Sequence, residues 1–183
     1  MRLSGIGLIF SLILAIGMFV ISTRCNASLF KGNSMSFTLQ SKAFSDGSSI
    51  PTKYTCTAED ISPPLAWEGA PEKTKSFVLI MDDPDAPGGT WDHWIVFNIP
   101  ETVHAFSENL MLLPEGALQG KNSWGKSVYG GPCPPSGEHR YYFKLYALDN
   151  RLNLPEGASK SEVESAMQGH VLADATVMGR YKK

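Results

Sequence analysis

Charge is scarce in this sequence. Only 19% of its 183 residues are Asp, Glu, Lys or Arg, and the formal net charge is −2. No basic run exists beyond Lys182-Lys183. No nucleic-acid partner is therefore expected, nor a simple electrostatic hold on acidic lipid surfaces. No Gly-x-Ser-x-Gly elbow occurs, so a serine nucleophile of that kind is lacking. Internal repeats and a second domain are missing as well. What is present is a 43% hydrophobic content, enough for an ordinary core, with 17 glycines and 12 prolines clustered between apolar runs. That pattern suits short strands joined by structured loops.

Residues 1–27 stand apart. Arg2 supplies a positive start, Ile6–Ile21 is 16 residues without a charge, and Cys25-Asn26-Ala27 places small residues before a cut after Ala27. This is the pattern of a secretory signal peptide. An uncleaved membrane anchor is the rival, but the stretch falls short of the about 20 residues that span a bilayer. Lipoprotein attachment at Cys25 is disfavoured by Ser22-Thr23-Arg24 before it. The expectation is a periplasmic or secreted protein whose residues 28–183 form a single domain. Without Arg2 and Arg24 that domain keeps 14 basic and 18 acidic residues, a net charge of −4.

Cys56 and Cys133 then remain. In an oxidising compartment they either pair, a link worth about 3–5 kcal/mol in the chain-entropy model, or stay as two free thiols. Both readings stay open.

Along the domain, Phe37, Leu39 and Phe44 open an extended segment with polar residues between them. Ser62-Pro63-Pro64-Leu65 is a rigid turn leading into a strand at Trp67, which Gly69-Ala70-Pro71 ends. Phe77–Met81 and Trp94–Ile99 are continuous apolar runs, the mark of strands buried on both faces. Residues 101–127 lack periodicity and read as a long surface connection containing Asn122-Ser123-Trp124-Gly125. Tyr141–Leu148 is an aromatic strand. Ser159 is a helix N-cap with Glu162 completing a capping box, and Val163, Met167 and Val171 share one face. Ala175–Tyr181 closes the chain as a strand. The fold class is mainly β with one or two peripheral helices near the C-terminus.

Two loops carry the chemistry. Asp82-Asp83-Pro84-Asp85-Ala86-Pro87 leads through Gly88-Gly89-Thr90-Trp91-Asp92 to His93-Trp94. If the flanking strands are antiparallel neighbours, Asp83 and His93 reach the same end of the sheet. Tyr129-Gly130-Gly131-Pro132-Cys133-Pro134-Pro135 leads in the same way to His139-Arg140-Tyr141. Glycine N–H groups there can point at an anion. Either loop alone reads as a tight turn, Asp before Pro being a common turn starter. Together they repeat one design, which packing alone does not explain. His104 reads as exposed and His170 as a capping or packing residue. Only His93, His139 and Asp83 converge, short of a typical metal set, so neither a metal nor another cofactor is expected.

These paired motifs resemble the signature of the phosphatidylethanolamine-binding proteins, also called Raf kinase inhibitor proteins, and the chain is similar to the bacterial branch. Ser62-Pro63-Pro64-Leu65-Ala66-Trp67 and Gly169-His170-Val171-Leu172-Ala173 agree with it, and the resemblance covers nearly all of residues 35–181. It implies two antiparallel sheets in a Greek-key sandwich. It also implies a pocket for phosphate, acetate or a phosphorylethanolamine head group, built from Asp83, Trp91, His93, Gly131, Pro134, His139 and Tyr141. Asp85 and Arg140 would support the loops, by pairing with each other or with backbone. Eukaryotic members have glycine where Cys133 stands, so the detailed anion contacts there are expected to differ.

The function implied is a non-catalytic binding module for a small anion or phospholipid head group, with a protein partner that it inhibits or regulates. A homodimer is compatible with the sequence, which does not set the oligomeric state. The alternative is a hydrolase using Asp83, His93 and His139 as acid and base on a phosphoester or acyl substrate.

Overall fold

The computed structural model describes residues 36–183. The signal-peptide reading of residues 1–27 lies outside these. Among the described residues no helix is long and apolar enough to cross a membrane.

The strands are β1 (Thr38–Gln40), β2 (Leu65–Glu68), β3 (Ser76–Asp83), β4 (Trp91–Pro100), β5 (Ala105–Phe106), β6 (Leu118–Gln119), β7 (Glu138–Leu148) and β8 (Val171–Lys182). One α-helix, α1 (Lys160–Met167), precedes β8, and a 3-10 turn covers Thr52–Tyr54. They form a three-stranded sheet in the order β1-β2-β5 and a five-stranded sheet in the order β6-β4-β3-β7-β8. Every pairing between them is antiparallel. After the β3–β4 hairpin the chain returns on the far side of β3, the crossed connection of a Greek-key sandwich.

Strand alternation divides the core in two. Phe77, Leu79 and Met81 of β3 join Phe143 and Leu145 of β7 against Leu39, Trp67 and Phe106 of the smaller sheet. Trp67 meets Phe77 with ring centroids 5.7 Å apart, and Trp94 of β4 meets Phe106 at the same distance. On the opposite face Val78, Ile80, Ile95 and Phe97 pack against Val163 and Met167 of α1. The continuous apolar runs follow from this arrangement: β3 and the middle of β4 are covered on both sides.

Helix α1 starts as its sequence dictates. The Ser159 side chain accepts from the Glu162 backbone, and the Glu162 side chain accepts from the Ser159 backbone. Its buried face is Val163 and Met167 alone. Val171 is exposed and already begins β8, because Gly169 at φ +79° turns the chain out of the helix. The connection 101–127 is not wholly irregular, since the short strands β5 and β6 edge the two sheets. At the N-terminal side only Thr38–Gln40 pairs as a strand, and Phe44 is buried beyond it.

Candidate functional site

Asp83 ends β3 on the same face as Phe77, Leu79 and Met81, at the point where the sandwich interior opens to the loops. Beside it, β4 carries a bulge. Met81 pairs with Trp94 and Asp82 with Asp92, leaving His93 as the extra residue. A bulge lets two successive side chains point the same way. Trp94 therefore fills the sandwich core while His93 faces Tyr141 of β7, with ring centroids 5.2 Å apart. On the third strand, His139 and Tyr141 occupy successive inward positions of β7.

Hydrogen bonds fix the polar atoms. Asp83 accepts from the His139 Nδ1–H on one oxygen at 2.7 Å and from the Asp85 backbone N–H on the other at 2.8 Å. His93 Nδ1 lies 2.7 Å from the Gly130 carbonyl. A carbonyl only accepts, so Nδ1 carries the proton and Nε2 is the ring atom left for a ligand. Burial lowers the His93 pKa, outweighing the opposing bonds to Gly130 and Gly131 and the field of Asp83. The Tyr141 hydroxyl is buried close to the Asp83 carboxylate and the Cys133 backbone, but neither meets it at full hydrogen-bond geometry, nor does any other of the described residues. Burial first, and the nearby Asp83 charge second, push its pKa far up, so it stays a donor.

Asp83 and His93 border a cavity of about 230 Å³ lined also by Ala86, Pro87, Trp91, Trp124, Cys133 and Pro135, with His139 and Tyr141 buried outside that lining. A neighbouring cavity of about 330 Å³ shares Trp124 and Cys133 and continues to Asp60, Lys126 and Gly131. The larger space is the lesser candidate for an anion. The Tyr129 hydroxyl there already donates to the Tyr54 carbonyl at 2.7 Å, and Gly131 N–H to Asp60 Oδ1 at 2.7 Å.

A family model described as phosphatidylethanolamine-binding protein matches residues 40–182. The chain belongs to the phosphatidylethanolamine-binding protein family. It is 52% identical over 148 residues to a UPF0098 protein of Methanothermobacter thermautotrophicus, covering 79% of this chain and 98% of that one. A UPF0098 protein of Aquifex aeolicus is 48% identical over 163 residues, covering 86% of this chain and 95% of its own. Among solved structures, CT736 of Chlamydia trachomatis, described as a phosphatidylethanolamine-binding protein homologue, superposes with a TM-score of 0.77 at 44% identity. The match covers 81% of this chain and 98% of CT736. YbcL of E. coli, described as a member of the mammalian family, gives 0.76 at 34% identity, with 81% of this chain and 99% of YbcL covered.

Within this phosphatidylethanolamine-binding protein fold the glycine loop does something other than present N–H groups to an anion. Gly130 N–H donates to the His93 carbonyl at 3.1 Å and Gly131 N–H is taken by Asp60. A Cβ on Gly131 would collide with Asp60 Oδ1 and the Tyr54 carbonyl, so glycine is needed there for close packing. Of the residues expected to build the pocket, Asp83, Trp91 and His93 line the histidine cavity, whereas Gly131, Pro134, His139 and Tyr141 do not. Cys56 and Cys133 are joined by a disulfide with Cα atoms 5.4 Å apart, which ties this loop to the 3-10 turn region.

Asp85 and Arg140 form a two-pronged pair, Nε to Oδ2 at 2.9 Å and Nη2 to Oδ1 at 2.6 Å, and the Arg140 backbone N–H adds a third bond. The hydrogen bonds from Arg140 hold the Asp85 carboxyl down at about 2. Trp124 lies in the connection that lacks periodicity, and no local pattern in the sequence assigns it to the site. Its ring stands edge-on to His93 at 5.0 Å and to Trp91 at 5.4 Å, walling both cavities. The local signal is only the Asn-Ser-Trp-Gly turn. Asn122 Oδ1 accepts from the Trp124 and Lys126 backbones, and Gly125 supplies φ +74°. His104 is exposed, and His170 bonds Asp149 at 2.8 Å, away from the site.

Proposed function

We propose that the cavity between Trp91, His93 and Trp124 holds a small phosphorylated or carboxylate anion, the head group of a phospholipid among them, without turning it over. The observation that carries this reading is the uncommitted Nε2 of the cavity-lining His93, with the buried Tyr141 hydroxyl, which lacks a partner at hydrogen-bond geometry among the described residues, packed beside its ring. A buried hydroxyl with no partner costs about 1–3 kcal/mol, which a ligand oxygen would recover. Asp83 keeps its charge, but hydrogen bonds from the His139 ring and the Asp85 backbone N–H to its two oxygens offset part of its repulsion toward an anion. A protonated phosphate oxygen can donate to neutral His93, and a fully ionised one can accept from its protonated form. Trp91, Trp124 and Pro87 supply apolar walls for the rest of a head group.

The lining offers no hydroxyl or thiol nucleophile for a covalent hydrolytic route. It contains no serine or threonine, and the Cys133 sulfur is committed to Cys56. The disulfide also supports export through residues 1–27, since such bonds persist in oxidising compartments. Any partner regulated by this protein would then be met outside the cytoplasm.

Calorimetric titration with phosphate and phosphorylethanolamine tests the proposal on wild type, His93→Ala, His139→Ala and the double variant. Each single variant is expected to weaken binding at least about tenfold, about 1.4 kcal/mol. Undiminished affinity in the double variant would reject the site. Phosphoester turnover that disappears in the variants would replace binding by catalysis.

A further inference from the structure

We propose that Lys160 is a positioning residue for the pocket, its ammonium clamping Asp82 of β3 to Asp92 of β4 directly behind the bulge that aims His93. This rests on the anion-pocket reading above. Lys160 Nζ donates to Asp82 Oδ2 at 3.0 Å and to Asp92 Oδ1 at 2.8 Å. Those two acids are direct cross-strand partners on the helix face, and their chain neighbours are Asp83 and His93. Like charges placed opposite each other on neighbouring strands repel. Asp82 is fully buried, so water screens that repulsion poorly.

The ammonium between them converts the repulsion into a tie. Burial alone would lower the Lys160 pKa, but the bond to Asp92 and the field of Asp82 outweigh it and raise it, so the clamp is charged. Its position is rigid as well. Lys160 is the first residue of α1, fixed by the Ser159–Glu162 capping box and by Val163 against the sheet. Lys144 also reaches Asp82 Oδ2, at 2.7 Å, yet among the described residues only Lys160 bonds both Asp82 and Asp92 and so spans the two strands at this point. The tie continues to the pocket wall, because the Asp92 backbone N–H donates to Ser123 Oγ at 2.8 Å, next to Trp124.

The discriminating measurement is a histidine NMR titration of the full chain, paired with calorimetry using inorganic phosphate. Asp92→Ala separates two effects of opposite sign. Loss of the Asp92 charge by itself lowers the His93 pKa further, since that charge raises it. A loosened bulge instead admits water to the imidazole and raises the pKa toward the ordinary histidine value. We expect a rise of about half a pH unit, with phosphate bound about threefold more weakly. Lys160→Met, which leaves the two acids untied, should weaken phosphate about tenfold. If Lys160→Met fails to fold, Asp92→Ala still carries the test, because Asp82 keeps both lysines. A fall in the His93 pKa in folded Asp92→Ala overturns the clamp, as does wild-type phosphate affinity in both variants. Should wild type itself not bind phosphate, the anion-pocket reading fails, and the sign of the His93 shift alone decides the clamp.

Discussion

Asp83 and His139 stand 56 positions apart in the chain, yet a carboxylate oxygen and the imidazole Nδ1 lie 2.7 Å apart with both side chains almost wholly buried. The bond joins the last residue of β3 to the start of β7 and sets the orientation of the imidazole. It shows how this pocket is made: side chains from three neighbouring strands meet where the sandwich core gives way to loops.

Tyr141→Phe separates stability from affinity. The hydroxyl meets no partner at hydrogen-bond geometry among the described residues, so its removal should leave thermal stability unchanged or raise it by up to about 1 kcal/mol. Phosphate affinity should fall about tenfold, near 1.4 kcal/mol, as one donor is lost. Thermal unfolding and calorimetry on the same samples read both effects. A variant that loses stability and keeps affinity would mean that the hydroxyl serves the fold.

Anion affinity should depend on pH through His93. Its folded pKa lies below the ordinary 6.5 because of burial. A bound dianion favours the imidazolium and raises it. Between the free and bound values binding takes up a proton, so affinity rises as pH falls, by at most about tenfold per pH unit. Sulfate, whose charge does not change in this range, is the suitable probe. Without ligand the sign reverses for stability: a depressed histidine pKa means that the unfolded chain binds the proton first, so stability drops as pH falls below about 6.5. Sulfate titrations at pH 5 and pH 8 giving equal constants would contradict the role assigned to His93.

Replacing Cys56 and Cys133 by alanine should lower unfolding stability by about 2–5 kcal/mol, the chain-entropy value for a link across 77 positions being about 4.5 kcal/mol. Cys133 also borders both cavities, so phosphate binding should weaken a few-fold in the folded variant. Urea unfolding with and without reductant supplies the check. Coincident midpoints would show that the bond adds no stability.

Much of the frame is written locally. The capping box at Ser159 and Glu162 involves residues three apart, and the apolar runs at 77–81 and 94–99 declare strands covered on both faces. The Gly/Pro loops before His93 and His139 mark two strand starts, and Asp83 marks a strand end. Val171 departs from this legibility because helical spacing alone ignores the turn at Gly169.

The pocket's finer geometry depended on pairings that no local pattern contains. The order β4-β3-β7 puts Asp83 between the two histidine strands, and the Met81/Asp82 register shift turns His93 inward beside Trp94. Trp124 returns across the rim 31 positions after His93. Lys160 reaches Asp82 from 78 positions away, and Gly131 meets Asp60 from 71. By itself, then, the sequence determined the family, the strands and the residues able to do the chemistry, because propensity, capping and alternation act over a few residues. Only the tertiary structure decided which nitrogens remain free, which glycine N–H groups are already taken and which lysine stands behind the histidine. Those outcomes depend on strand order and register, which are settled by packing the whole sandwich at once.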